Sequence, residues 1–215
     1  MRSILLPMNA RRWLTLLGAL LALAVLLPPW ETLARRYVFA EAVQYAMLVT
    51  AVPALVVLGA PSLSARLGRR AGRVPAAVIL AGYTGVAVLW RLPFAVDALS
   101  ARPAWLAVEA ATLIGVGCAF WLELVGAPRI SRWLRAFFAA VAMWSIWAVA
   151  YVLGFSGTAW YAGYARHAGH GLGVVADQEI ATGLLWAISG LAYVPLVFVL
   201  MLAWLDERPE ARTAP

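Results

Sequence analysis

Six apolar runs separated by arginine-bearing connections constrain this chain more than any motif in it. They are residues 13–30, 37–60, 74–95, 105–125, 133–155 and 180–205. Each is about 18 to 26 residues long, against the roughly 20 that a helix needs to cross the hydrocarbon of a bilayer. In lipid every backbone N–H and C=O must be satisfied within the protein, so apolar segments of this length are read as helices. The composition agrees: 64% of the residues are hydrophobic and the mean hydropathy is +0.84, where a soluble domain is about half apolar. The expected fold is an all-α polytopic integral membrane bundle of about six transmembrane helices. It forms one membrane domain over residues 1–205, with a charged tail at 206–215.

The arginines orient it. All seventeen basic residues are Arg. Arg2, Arg11, Arg12, Arg66, Arg69, Arg70, Arg73, Arg129, Arg132, Arg135, Arg208 and Arg212 fall on one side of the runs, twelve in all. Arg35, Arg36, Arg91, Arg102 and Arg166 make five on the other. Positive charge collects in cytoplasmic loops, which predicts both termini in the cytoplasm of a bacterial plasma membrane. Trp13, Trp121, Trp133 and Trp204 then mark the inner interface, and Trp30, Trp105 and Trp160 the outer one. The net charge of +7 is therefore topology and lipid contact, not a nucleic-acid surface. Arg11-Arg12 ahead of an apolar run also fits a cleaved signal peptide, but the following spans make an uncleaved first helix simpler. Pro28-Pro29 should end that helix, and Pro53 and Pro195 should bend theirs.

The polar residues gather at the predicted outer side. Glu41, Gln44 and Tyr45 are spaced i, i+3 and i+4, so on a helix they share one face just inside the second run. Glu109 lies about one turn inside the fourth. Ionisable groups at such depth face protein or a wet cavity, so both need a partner or mark a function. Arg91 can reach the surface or pair with an acid. Asp97, Asp177, Gln178 and Glu179 stand at the same level. The bland account of such residues is helix-end charges and ion pairs, and Asp177 is well placed as an N-terminal charge. His167 and His170 form H-x-x-H in the long connection 156–179, where imidazoles suit copper or zinc if a third ligand is near, and are otherwise solvated loop residues. Gly115 and Gly117 would allow a close helix approach, and Cys118, the single cysteine, reads as a small buried hydrophobe. No phosphate loop, nucleophile elbow or H-E-x-x-H motif is present, which argues against a soluble-type active site.

In order and spacing these features resemble the CtaG-type cytochrome c oxidase assembly proteins, a bacterial multi-span family linked to caa3-type oxidases. The resemblance covers roughly residues 11 to 205. It rests on Glu41-Ala42-Val43-Gln44-Tyr45 followed by Pro53 and Leu58-Gly59-Ala60-Pro61, and on Leu89-Trp90-Arg91-Leu92-Pro93. It continues through Glu109-Ala110 with Phe120-Trp121 downstream, and Asp177-Gln178 with Gly183 and Trp186. It implies a membrane-embedded assembly factor, with oxidase subunits as partners and copper as the candidate cofactor. It also implies a departure: positions where the family tends to carry His hold Glu41, Tyr45, Arg91 and Ala110. A metal site here would have to use Glu41, Tyr45, Glu109, His167, His170 and Asp177, with Gln44, Arg91 and Gln178 as a surrounding polar cluster; otherwise the scaffold holds a partner without metal. The competing reading is a small transporter or proton-conducting bundle using Glu41 and Glu109. An outer-face enzyme using Asp177, Glu109 and His170 as acid–base groups is the weakest, since no spacing favours a reaction.

Overall fold

The computed structural model describes residues 8–60, 74–126, 129–165 and 171–207. Every regular element among them is a helix. Helix α1 is Met8–Leu26 and α2 is the short Trp30–Ala34. α3 runs over Val38–Gly59 and contains one π-helical turn, Met47–Ala51. α4 is Ala76–Leu89, α5 is Pro93–Ala101, and α6 is Pro103–Trp121, which continues into a second π turn at Leu122–Gly126. α7 is Arg132–Phe155, α8 is Ala162–Ala165 and α9 is Val174–Leu205. Helices α1, α3, α6, α7 and α9 are long and apolar enough to cross a membrane, and α4 with α5 supplies a sixth if counted as one broken span. The protein is an all-α polytopic helical bundle.

α3 is its centre. In the windows that qualify as spans, 61% of α3 is buried inside the protein, against 11% of α1. The first half of α3 lies along α9, which also packs on α7. Its second half packs on α1 and α6. Small residues permit these approaches. A Cβ added at Gly59 would sit 2.8 Å from the carbonyl oxygen of Arg11, so α1 and α3 meet backbone to backbone. One added at Gly117 would lie 2.5 Å from Cγ of Pro53 and 3.1 Å from the carbonyl of Val49. Gly115, expected to act with Gly117, has nothing within 4 Å of its added Cβ and makes no close approach. Pro53 cannot donate to the carbonyl four residues back, and the π turn just ahead of it absorbs that mismatch. Pro195 lies inside α9 without breaking it.

Three elements differ from the sequence expectation. The first helix begins and ends earlier than residues 13–30, because Pro28-Pro29 stops it and Trp30 starts a separate turn. The third run does not continue to residue 95. It breaks at Trp90–Leu92, and α5 leaves at 67° to α4. Proline at 93 drives its predecessor out of helical conformation, and Leu92 is extended at φ −72° and ψ 143°. The last turn before the break tightens, with Arg91 N donating to Val88 O at 3.0 Å and Leu92 N to Leu89 O at 3.1 Å. The last helix starts at Val174 rather than Ile180, which places Asp177 and Gln178 within its first turns instead of ahead of it.

Candidate functional site

The break at Pro93 matters because it aims Arg91 inward. At the end of the bundle where α3 begins, Arg91 is only 2% exposed and cannot reach a surface. Its Nη1 donates to Oε2 of Glu41, 3% exposed, in an ion pair between the α4–α5 break and α3. Nη2 donates to the Tyr161 hydroxyl at 3.4 Å, and that hydroxyl donates to the Arg91 carbonyl at 3.1 Å. The guanidinium carbon lies 5.1 Å from the ring centre of Tyr45 and 5.7 Å from that of Tyr161. Two aromatic rings therefore flank a buried cation, an attraction worth about 2 kcal/mol when desolvated. Tyr45 keeps its hydroxyl for the Ala87 carbonyl, at 2.8 Å, and Gln44 donates to the Val25 carbonyl. The expected i, i+3, i+4 face of α3 is thus spent on three separate neighbours.

Glu109 of α6 completes the cluster. It is 1% exposed, and its Oε1 has no hydrogen-bond partner. Its charge acts on both Glu41 and Arg91. Oε1 of Glu41 and Nε of Arg91 are likewise buried without partners. Only Glu41 is paired with the guanidinium, and buried polar atoms left over in low dielectric are strongly disfavoured. A recess adjoins them, lined by Glu31, Arg35, Glu41, Gln44, Glu109 and Tyr164 among others. It leaves about 20 Å³ for the centre of a water-sized sphere, room for about one water. The Glu31–Arg35 pair, partly exposed on α2, stands beside it. Tyr164 closes another side, its hydroxyl donating to the Ala34 carbonyl at 2.7 Å. Burial raises the Tyr161 and Tyr164 phenols above their usual range, so both remain proton donors.

Asp177 and Gln178 act one layer away. Asp177 accepts from the amides of Val38 and Phe39, both at 2.8 Å, so a carboxylate on α9 caps the start of α3. Gln178 accepts from Trp160 N at 3.0 Å and donates to Leu153 O at 2.8 Å and Thr158 O at 3.1 Å, fastening the connection after α7. Asp97 accepts from Gly163 N at 2.8 Å and ties α8 to α5. Of the sequence candidates, Glu41, Gln44, Tyr45, Arg91 and Glu109 come together, Asp177 and Gln178 brace them, and His167 and His170 lie outside the described residues. Tyr161 and Tyr164 were missed. Their i, i+3 spacing in a polar connection was the available signal.

The donors at this site do not fit copper. Soft or imidazole ligands select it, whereas positions 41, 45 and 91 present a carboxylate in an ion pair, a phenol bonded to a carbonyl, and a fixed cation. Among the described residues no three His, Cys, Asp or Glu side chains gather as a metal-binding group. A larger hollow, about 520 Å³, lies at Trp144, Trp147, Tyr151 and Trp186 of α7 and α9, but it has no charged lining residue.

The model of the cytochrome c oxidase caa3 assembly factor family, Caa3_CtaG, matches residues 6–207. The chain belongs to that family. No curated protein and no solved structure matches it. Family membership spans both the Glu41–Arg91–Glu109 cluster and the Asp177–Gln178 brace, so the site lies within the caa3 assembly factor region and not in an appended segment.

Proposed function

We propose that this chain is a membrane-embedded assembly factor of a bacterial cytochrome c oxidase that holds an oxidase subunit and carries no copper of its own at the Glu41 end. Its family supports the assembly role. The observation that carries the metal-free part is the Glu41–Arg91 pair. Where the family resemblance puts imidazoles, this chain has a guanidinium locked between Tyr45 and Tyr161. A fixed positive charge repels a cation, and the Tyr45 hydroxyl and the Gln44 amide are engaged by backbone carbonyls. On this reading the arginine-rich end faces the cytoplasm, the Glu41 end faces outward, and residues 1–205 act as one membrane domain without catalysis.

The test is purification of the tagged chain in a gentle detergent, with detection of oxidase subunits and elemental analysis of copper. An oxidase subunit should co-purify and copper should stay well below one per chain. Absence of any oxidase subunit would remove the assembly role. About one copper per chain would overturn the metal-free reading, and its loss on replacing His167 and His170 would locate the ligands.

A second reading, conduction of protons or ions, draws on the unpartnered Oε1 of Glu109 beside a water-sized recess. It predicts flux in proteoliposomes that disappears when Glu41 and Glu109 both become Gln. Equal flux in wild type and double variant would sink it.

A further inference from the structure

The opposite end of the bundle holds a buried cation with which no described residue forms an ion pair. Arg135 sits one turn inside α7 and is 8% exposed. Its Nε is buried without a hydrogen-bond partner, and among the described residues the guanidinium makes neither a hydrogen bond nor an ion pair. The charged groups that act on it are Arg132, Glu123 and Glu207. Both acids are already engaged. Glu123 takes Arg129 through its backbone N at 3.1 Å, Nε at 2.9 Å and Nη2 at 2.7 Å. Glu207 pairs with Arg132 at 2.8 Å. Among the described residues three arginines thus face two carboxylates, and the surplus charge is the most buried of the three.

The helix end adds to that surplus. Side chains on a helix lean toward its N-terminus, so Arg135 inclines toward the start of α7. The Ser131 hydroxyl caps one amide there, Leu134 N at 3.3 Å, but the first turn has no acidic residue, so no negative charge offsets the positive end of the helix. The depth is that of a bilayer interface. Trp133, half exposed, packs on Trp204 with ring centres 5.4 Å apart. Arg135 lies two residues, about 3 Å, further along the axis. At the same end of the bundle Phe137, Leu202 and Leu205 present exposed apolar surface, which a free anion would not use and an acyl chain would.

We infer that Arg135 and the N-terminus of α7 bind the phosphate of an anionic phospholipid headgroup. Arginine suits this ligand because its planar fork donates two parallel hydrogen bonds to phosphate oxygens. The acyl chains then lie over Phe137 and the end of α9. Basic recesses between membrane helices recognise lipid heads in this manner. The site is separate from the Glu41 cluster and does not rest on the assembly role.

The test is native mass spectrometry of the full chain released from detergent, after titration with phosphatidylglycerol, phosphatidylcholine or inorganic phosphate. The thermal unfolding midpoint is followed in parallel. We expect one phosphatidylglycerol retained per chain, with about tenfold preference over phosphatidylcholine, whose phosphate is the same but whose choline brings a cation to a site that already has surplus positive charge. Arg135→Gln should abolish the preference, and Arg36→Gln, an exposed arginine at the other end, should leave it intact. Should Arg135→Gln fail to fold, Arg135→Lys, which keeps the charge and loses the fork, should weaken the preference. Equal retention of the two lipids by the wild-type chain would overturn the proposal, as would a preference that is undiminished in the position-135 variants. Stabilisation by inorganic phosphate equal to that by phosphatidylglycerol would reassign the site to a free anion and overturn the lipid.

Discussion

Two ion pairs at opposite ends of this bundle bury a glutamate almost equally and treat it differently. Glu123 and Glu41 are each 3% exposed. Glu123 is answered by one residue six positions on, which gives it three donors, and the side chain of Arg129 remains a third exposed. Glu41 is answered by Arg91, fifty positions on, and both partners are out of solvent with atoms to spare. The first pair is a local clamp that water helps to hold. The second is a joint between α3 and the α4–α5 break that the whole bundle must assemble around. Buried pairs add little stability against an apolar replacement, but breaking one leaves an uncompensated charge. Such an arrangement fixes the position of α3 against the α4–α5 break.

The strongest way to break the comparison is Arg91→Met. It strands Glu41 beside Glu109 in the interior, and we expect a loss of about 3–5 kcal/mol, read as collapse of folded yield or of the unfolding midpoint in detergent. The double variant Glu41→Gln with Arg91→Met removes both charges and should recover most of that loss. A double variant as unstable as Arg91→Met alone would mean that the Tyr45 and Tyr161 contacts matter more than the charge balance.

Next in size is Gly117→Ala. The new methyl meets the ring of Pro53, pushing α6, and Glu109 with it, away from α3. Overpacking of this kind costs about 1–3 kcal/mol, while Gly115→Ala, with open space around it, should be neutral. Thermal unfolding of the two variants side by side checks this, and equal effects would remove Gly117 as the contact that sets the cluster. Asp177→Ala then removes the cap on α3 and should lose about 1–2 kcal/mol. Hydrogen exchange should rise at Val38 and Phe39 ahead of the rest of α3.

The bundle was legible because apolar length acts along the chain, one run at a time. The Glu41, Gln44 and Tyr45 face was legible for the same reason, since i, i+3 and i+4 is local geometry. What the cluster does was not. Arg91 could be read as reaching the surface or finding an acid, and the choice depends on a 67° break that Leu92-Pro93 permits but does not require. Asp177 could be foreseen as a helix-end charge, yet the helix it caps is α3, 138 and 139 residues away, and not its own. Tyr161 and Tyr164 were passed over because they become polar ligands only when the connection folds back on α4 and α2. Gly115 and Gly117 look alike in sequence, and only the rotation of α6 separates them.

The smallest expected effect is the sharpest control on the comparison. Arg129→Gln removes the side-chain charge from the Glu123 pair but leaves the backbone N of residue 129, which donates to Oε1 at 3.1 Å. Glu123 keeps one partner, and the site borders water on the side where Arg129 was exposed. Exposed or half-exposed pairs are worth about 1 kcal/mol or less, so the unfolding midpoint should fall only slightly, and less again in high salt, where the wild-type pair is itself screened. Arg91→Met should show no such relief, because its charges lie where salt does not penetrate. If the two losses instead match, or both shrink with salt, then the Glu41–Arg91 pair is reached by solvent. The recess beside Glu109 would then be the path by which water gets there.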